Sequence, residues 1–189
     1  MKKYILFLVG LLFSISSIEA QSKSDNIDPD KFNHTLFEQL IFTKVNEYRV
    51  TNGRKALINN STIYKVAKDH NDFLKTNGEL THDQPTTGKR TVQERLLHYM
   101  NVKKYAIGEN IARTFVLTPT YNYDEKGETS LNEANTYEEA ATYMLNAWIQ
   151  SDAHRENILK DKYQLGAIAS YFNPNDKSLT AVQVFAKIE

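Results

Sequence analysis

No cysteine occurs anywhere in the 189-residue chain. That removes a thiolate nucleophile, a cysteine zinc cluster, an iron–sulfur site and a thiol-linked lipid anchor. Neither sign of charge is in surplus: 23 Lys and Arg face 23 Asp and Glu, so no net field draws in a polyanion, and nucleic-acid binding by bulk electrostatics is not expected. Several motifs are missing as well. There is no H-E-x-x-H, G-x-S-x-G, G-x-x-x-x-G-K-[ST] or G-x-G-x-x-G, which sets aside the common zinc-protease, serine-esterase, P-loop and dinucleotide templates. The apolar stretch Tyr4 to Phe13 is too short for a comfortable membrane span.

What is present begins with that stretch. Lys2 and Lys3 precede it, and small residues follow it to Ile18-Glu19-Ala20. The pattern predicts a secretory signal peptide over residues 1–20, with Ala20 as the small residue for cleavage and no stable membrane span afterwards. The product is then secreted or periplasmic. An exported domain without cysteine suits a bacterial envelope better than a disulfide-rich animal secretion. At 41% hydrophobic, a chain of this size forms one domain that buries roughly 70% of its unfolded surface, so its core needs no disulfide or structural metal.

Residues 21–33 read as a polar leader, with the domain proper over 34–189. Leu36, Leu40, Ile41, Val45 and Tyr48 recur at helical spacing and stop at Gly53. Asn60 or Ser61 caps a second helix whose stripe is Ile63, Val66, Ala67, His70 and Leu74, closed by Gly78. Thr91-x-x-Glu94 opens a third, with Leu96, Leu97 and Met100 as its apolar side. Ile111 to Leu117 reads as a strand, and Thr118 to Asn135 as a long polar loop. Thr136-x-x-Glu139 caps a fourth helix, faced by Ala140, Met144, Ala147 and Trp148, that ends near Ser151. Tyr163 to Tyr171 and Leu179 to Lys187 flank the turn cluster Asn173 to Lys177 and predict a closing antiparallel hairpin. Four helices and a hairpin give an α+β layered domain.

In the long loop, Asn122, Asp124, Lys126, Gly127 and Glu133 fall near the positions of an EF-hand. Lys126 puts a cation where a ligand belongs, so an acidic solvated loop is the better reading. Three other clusters are more informative: Leu80-Thr81-His82, Gly108-Glu109-Asn110-Ile111, and Trp148 through Ile158 with Ser151, His154, Arg155 and Asn157. In this order and spacing they resemble the CAP superfamily, the cysteine-rich secretory, antigen 5 and pathogenesis-related (SCP-like) group, in its cysteine-free bacterial branch. Val45-Asn46-Glu47-Tyr48-Arg49, Glu94-Arg95-Leu96, Leu165-Gly166 and Val182-Gln183-Val184-Phe185 support the match.

The resemblance implies an α-β-α sandwich, a small antiparallel sheet between helical layers, with a polar groove on one side. It places His82, Glu109 and His154 in that groove, with Asn110 and Ser151 beside them. Ser151 stands where many members carry a second glutamate, and Ile168 where many have a second glycine. Two neutral imidazoles and a carboxylate suit zinc, with the fourth position left to water or ligand. The same trio also works without metal, Glu109 orienting one imidazole and raising its pKa so that it acts as a general base.

Architectural roles stand beside these. Glu109 could satisfy backbone amides at the start of a strand, Asn110 could hold a turn, and His154 could meet the negative end of the helix-four dipole. Arg155 and Asn157 read as local anchors, His70 and Trp148 as core, and His34 and His98 as surface residues. The expected function is an extracellular binding module for a lipid, glycan or protein. The alternatives are a metal-dependent or His/Glu-based hydrolase of peptides or cell-wall material, and a scaffold engaging a partner through the 118–135 loop. The pair around Tyr121 and Tyr123 offers aromatic surface for sugar or lipid contact.

Overall fold

The computed structural model describes residues 21–118, 120–123, 129–132 and 134–189, with 120–123 and 129–132 as backbone only. Helix α1, His34–Thr51, starts where Asn33 Oδ1 accepts the Leu36 amide at 3.0 Å. Its buried line is Phe37, Ile41, Val45 and Arg49, each four residues from the last, so they share one face. Leu36, Leu40 and Tyr48 only flank that line. Arg49 ends it because its guanidinium donates to the carbonyls of Lys55 (2.9 Å), Tyr163 (3.2 Å) and Ile158, pinning the helix end to a distant loop.

Strand β1, Ile58–Asn59, leads into α2, Ser61–Asn77. Asn60 caps α2, accepting the Thr62 and Ile63 amides, and Gly78 closes it at φ +79°, a left-handed conformation that needs no side chain. Helix α3, Val92–Tyr99, is capped by Thr91. Glu94 bonds back to the Arg90 amide at 2.7 Å, one residue before the cap. The apolar side expected for α3 is corrected here: Arg95 and Leu96 are buried, and Leu97 is 48% exposed.

Strand β2, Tyr105–Phe115, begins well before the predicted Ile111. The segment expected to be a loop contains an antiparallel hairpin, β3 (Thr120–Tyr123) with β4 (Thr129–Asn132). Asp124, Lys126, Gly127 and Glu133 of the calcium-like pattern, and the signal peptide expected over 1–20, lie outside the described residues. Helix α4, Tyr137–Gln150, carries the full Thr136/Glu139 capping box and stops at Ser151. A separate α5, Asp152–Leu159, follows it. Strands β5, Leu165–Phe172, and β6, Ser178–Ile188, form the closing hairpin.

The sheet runs β1-β5-β6-β2. It is mixed rather than wholly antiparallel, because the two residues of β1 pair parallel to β5. Alternation along β6 decides the layers: Leu179, Ala181 and Phe185 pack with α1, α4 and Trp148, while Val182, Val184 and Ala186 pack with Ile63, Val66 and Leu96 of α2 and α3. Both faces are covered, so β6 is buried from Ser178 to Ala186.

Residues 21–33 are stitched onto this body. The Ile27 amide donates to Asn135 O at 2.7 Å, the Glu138 amide to Lys23 O at 2.9 Å, and Ile27 itself is in the core. Among the described residues no helix is long and apolar enough to cross a membrane.

Candidate functional site

The pleat of β2 sends successive side chains to opposite faces. Glu109 turns toward α2 and α3, and Asn110 toward α5. Glu109 is 2% exposed and charged, so its oxygens require partners. Arg95 Nη2, from the buried side of α3, donates to Oε2 at 2.6 Å, and His82 Nδ1, from the loop after α2, lies 3.0 Å from Oε1. A carboxylate only accepts, so His82 carries its proton on Nδ1 and turns Nε2 outward. The His82 side chain is 59% exposed above the buried acid.

A layer behind this pair holds the loop in place. His70 is fully buried, with Nδ1 2.8 Å from Gln84 Oε1, Nε2 2.7 Å from Thr81 O, and Nε2 3.9 Å from Glu109 Oε1. Gln84 Nε2 donates to Asp69 Oδ1 at 3.0 Å, and Asp69 Oδ2 accepts from Lys89 Nζ and the Tyr99 hydroxyl, each at 2.5 Å. Arg95 Nη1 also donates to the carbonyls of Arg90, Lys89 and His82 at 3.2–3.4 Å. The backbone that presents His82 is therefore tied to α2 and α3 by side chains, a substitute for regular structure.

On the other face, Asn110 is fully buried and its Nδ2 donates to His154 O at 2.9 Å. Asn157 Nδ2 donates to Asn110 Oδ1 at 3.0 Å and to Glu109 O at 3.3 Å. Asn110 thus joins β2 to α5 and does not hold a turn. Arg155 is a local anchor, donating to Ile149 O at 2.7 Å and pairing with Asp152. Ser151 is the residue before α5 and makes no side-chain cap bond. His154 lies in the first turn of α5 rather than at the negative end of α4. His34, expected at the surface, is half-buried: its ring lies 4.9 Å from that of Phe32, with Nδ1 3.0 Å from Ser170 Oγ.

The two rings of the site are pushed apart in basicity. The hydrogen bond to Glu109, aided by that group's charge, holds His82 above the ordinary imidazole value, against burial and the Arg95 charge. Burial, then the charge of His82, holds His154 below it.

Zinc is a poor fit to this donor set. Both Glu109 oxygens are engaged, one by a guanidinium at 2.6 Å whose charge opposes a second cation. Among the described residues no three His, Asp or Glu side chains gather where an ion could sit. Two imidazoles alone fall short of the three or four protein ligands of a zinc centre.

Arg95, His70, Gln84 and Asp69 are site residues that sequence reasoning missed or placed elsewhere. Arg95 had one signal. It lies three residues after Val92 and four before Tyr99, on the face that helical spacing turns inward, where an arginine requires a buried partner.

A family model described as CAP: Cysteine-rich secretory protein family matches residues 42–185. No curated protein matches significantly. Among solved structures, the fold is similar to that of an outer surface protein from Borrelia burgdorferi, with a TM-score of 0.64 at 18% identity over 84% of this chain and 98% of that one. It is similar also to an extracellular protein containing a SCP domain from Bacillus anthracis, with a TM-score of 0.58 at 25% identity over 86% of this chain. The match spans only 44% of that longer protein. The CAP domain of enterococcal PrgA gives a TM-score of 0.53 at 20% identity, covering 88% of this chain and 69% of that one.

Proposed function

Because the chain belongs to the CAP, or cysteine-rich secretory protein, family, we propose that it works outside the cytoplasm as a binding module that presents His82 and His154 to an envelope glycan, lipid or protein. Export is supported by the amino-terminal pattern of Lys2, Lys3 and the apolar run to Phe13. One observation carries the preference for binding over hydrolysis with Glu109 as the base. Glu109 is held by Arg95 at 2.6 Å beneath the surface, so the carboxylate is a fixed counter-charge and not a free base. Its work is to orient His82, whose outward Nε2 meets the ligand. Ser151, in place of a second acid, offers no carboxylate at that position to activate water.

The test separates the two readings. The purified chain is incubated with peptidoglycan and with casein, and released products are followed for wild type and for Glu109→Gln. Binding without turnover is expected, with retention on insoluble peptidoglycan or lipid vesicles reduced in the His82→Ala/His154→Ala double variant. Product release that disappears in Glu109→Gln would replace the binding reading with hydrolysis.

A further inference from the structure

We propose that the recess where β2 begins and β6 ends is a binding site for a compact, multiply charged phosphoryl anion, separate from the histidine site. The recess measures about 400 Å³, and its wall includes Lys103, Lys104, Tyr105, Lys162, Lys187 and Glu189. That volume is in the range of small-ligand sites. Three separate parts of the chain supply the lysines: the α3–β2 connection, the α5–β5 connection and the last strand. The Glu189 amide donates to Lys104 O at 3.0 Å, which holds the Lys103–Lys104 turn against the end of β6.

Convergence in one recess is what distinguishes these lysines. Lys187 has a carboxylate, Glu189 Oε1 at 2.5 Å, but among the described residues Lys103, Lys104 and Lys162 form no ion pair. Lys162 has only the Tyr163 ring, 5.8 Å away. Like charges around one concavity repel, and its walls focus their field on whatever enters. An anion is the complement that relieves this.

The chemistry of the wall narrows the class. The wall holds four lysines beside Tyr105 and Glu189 and no arginine, so it offers rotatable point charges in place of a planar fork. Several rotatable point charges suit the many oxygens and high charge of a phosphoryl group. The zero net charge of the whole chain disfavours a long polyanion lying across the surface, whereas a compact group inside the recess meets four lysines against the one Glu189 side chain. The site is distinct from the first: Tyr105 and Glu109 are four residues apart on β2, about 13 Å along the strand.

The probe is sodium tripolyphosphate, titrated calorimetrically into the full chain. Saturable binding that weakens with added sodium chloride is expected. Lys103→Glu/Lys104→Glu should weaken it at least about tenfold, and Lys31→Glu/Lys75→Glu, the same change in net charge at exposed remote positions, by less than about twofold. Should the reversed pair not fold, the milder Lys104→Gln/Lys162→Gln is read in its place. Cosedimentation with phosphatidylglycerol vesicles, against pure phosphatidylcholine, separates the sources. Sedimentation lost in Lys103→Glu/Lys104→Glu assigns a lipid headgroup, and tripolyphosphate binding alone assigns a soluble phosphate. Absence of tripolyphosphate binding, or equal weakening in the recess and remote variants, overturns the proposal.

Discussion

Arg95 Nη2 meets Glu109 Oε2 at 2.6 Å, and neither side chain is open to solvent. A guanidinium and a carboxylate taken out of water have to satisfy one another, and deleting one leaves the other charged and alone. Arg95→Met keeps the apolar stem and removes the charge. A loss of about 3–5 kcal/mol in urea-unfolding free energy is expected. Should the loss stay under about 1 kcal/mol, the worth of an exposed pair, water reaches Glu109 and the pair is not sealed.

The two site imidazoles should titrate on opposite sides of their ordinary value of 6.5. His82, raised by its bond to Glu109, gives stability that is fully present below its unfolded pKa and fades as pH climbs through its folded value. For His154, lowered by burial, the sign reverses: its contribution is complete above the unfolded pKa and is lost as pH falls through its folded value. Imidazole NMR resonances followed against pH report both. Glu109→Gln removes the largest cause of the His82 shift, so that curve should move to lower pH. A His82 curve unaffected by this change would mean that the bond to Glu109 does not persist in solution.

Gly108 precedes the acid, and its lack of a side chain has a local reason. A β-carbon there would stand 2.4 Å from the Tyr163 hydroxyl and 3.1 Å from the ring carbon that carries it. The ring has little freedom to yield, since Tyr163 is buried and stacks on Phe185 at 5.4 Å. Gly108→Ala is expected to cost about 1–3 kcal/mol. Adding Tyr163→Phe deletes the nearest atom and should return part of it, seen as a coupling energy in a double-mutant cycle. Strict additivity of the two changes would show that the strand, not the tyrosine, absorbs the clash.

The elements that sequence marked well are those with signals a few residues apart. Asn60 and Gly78 bracket α2, and Thr136 with Glu139 opens α4, because a cap and the amide it serves are near neighbours in the chain. The turn from Asn173 to Lys177 announced the β5–β6 hairpin in the same way. By contrast, β2 starts six residues before its β-branched run, because Tyr105 to Asn110 are held in the sheet by pairing with Gln183 to Ile188. No local preference of Gly108-Glu109-Asn110 requires a strand. Leu97 illustrates the same limit, since on a helix of only eight residues, apolar content alone did not say which side meets the core.

In the site, residue types and order marked His82, Glu109, Asn110 and His154; the His82 ring reaches Glu109 on one face of β2, and the His154 carbonyl accepts from Asn110 on the other. Their hydrogen-bond roles needed the third dimension. Glu109 serves Arg95 and His82 rather than strand amides, and Asn110 serves α5 rather than a turn.

The amino-acid sequence alone determined the helix caps, the closing hairpin and the family pattern, since each rests on residues close together or on order along the chain. Tertiary structure alone decided that Arg95 turns inward, that Glu109 is a paired anion instead of an open ligand, and that four lysines from three segments share one recess. Burial and charge pairing depend on what lies opposite in space, and residues 14 or 27 positions apart in the chain become opposite only after the sheet has closed between its helical layers.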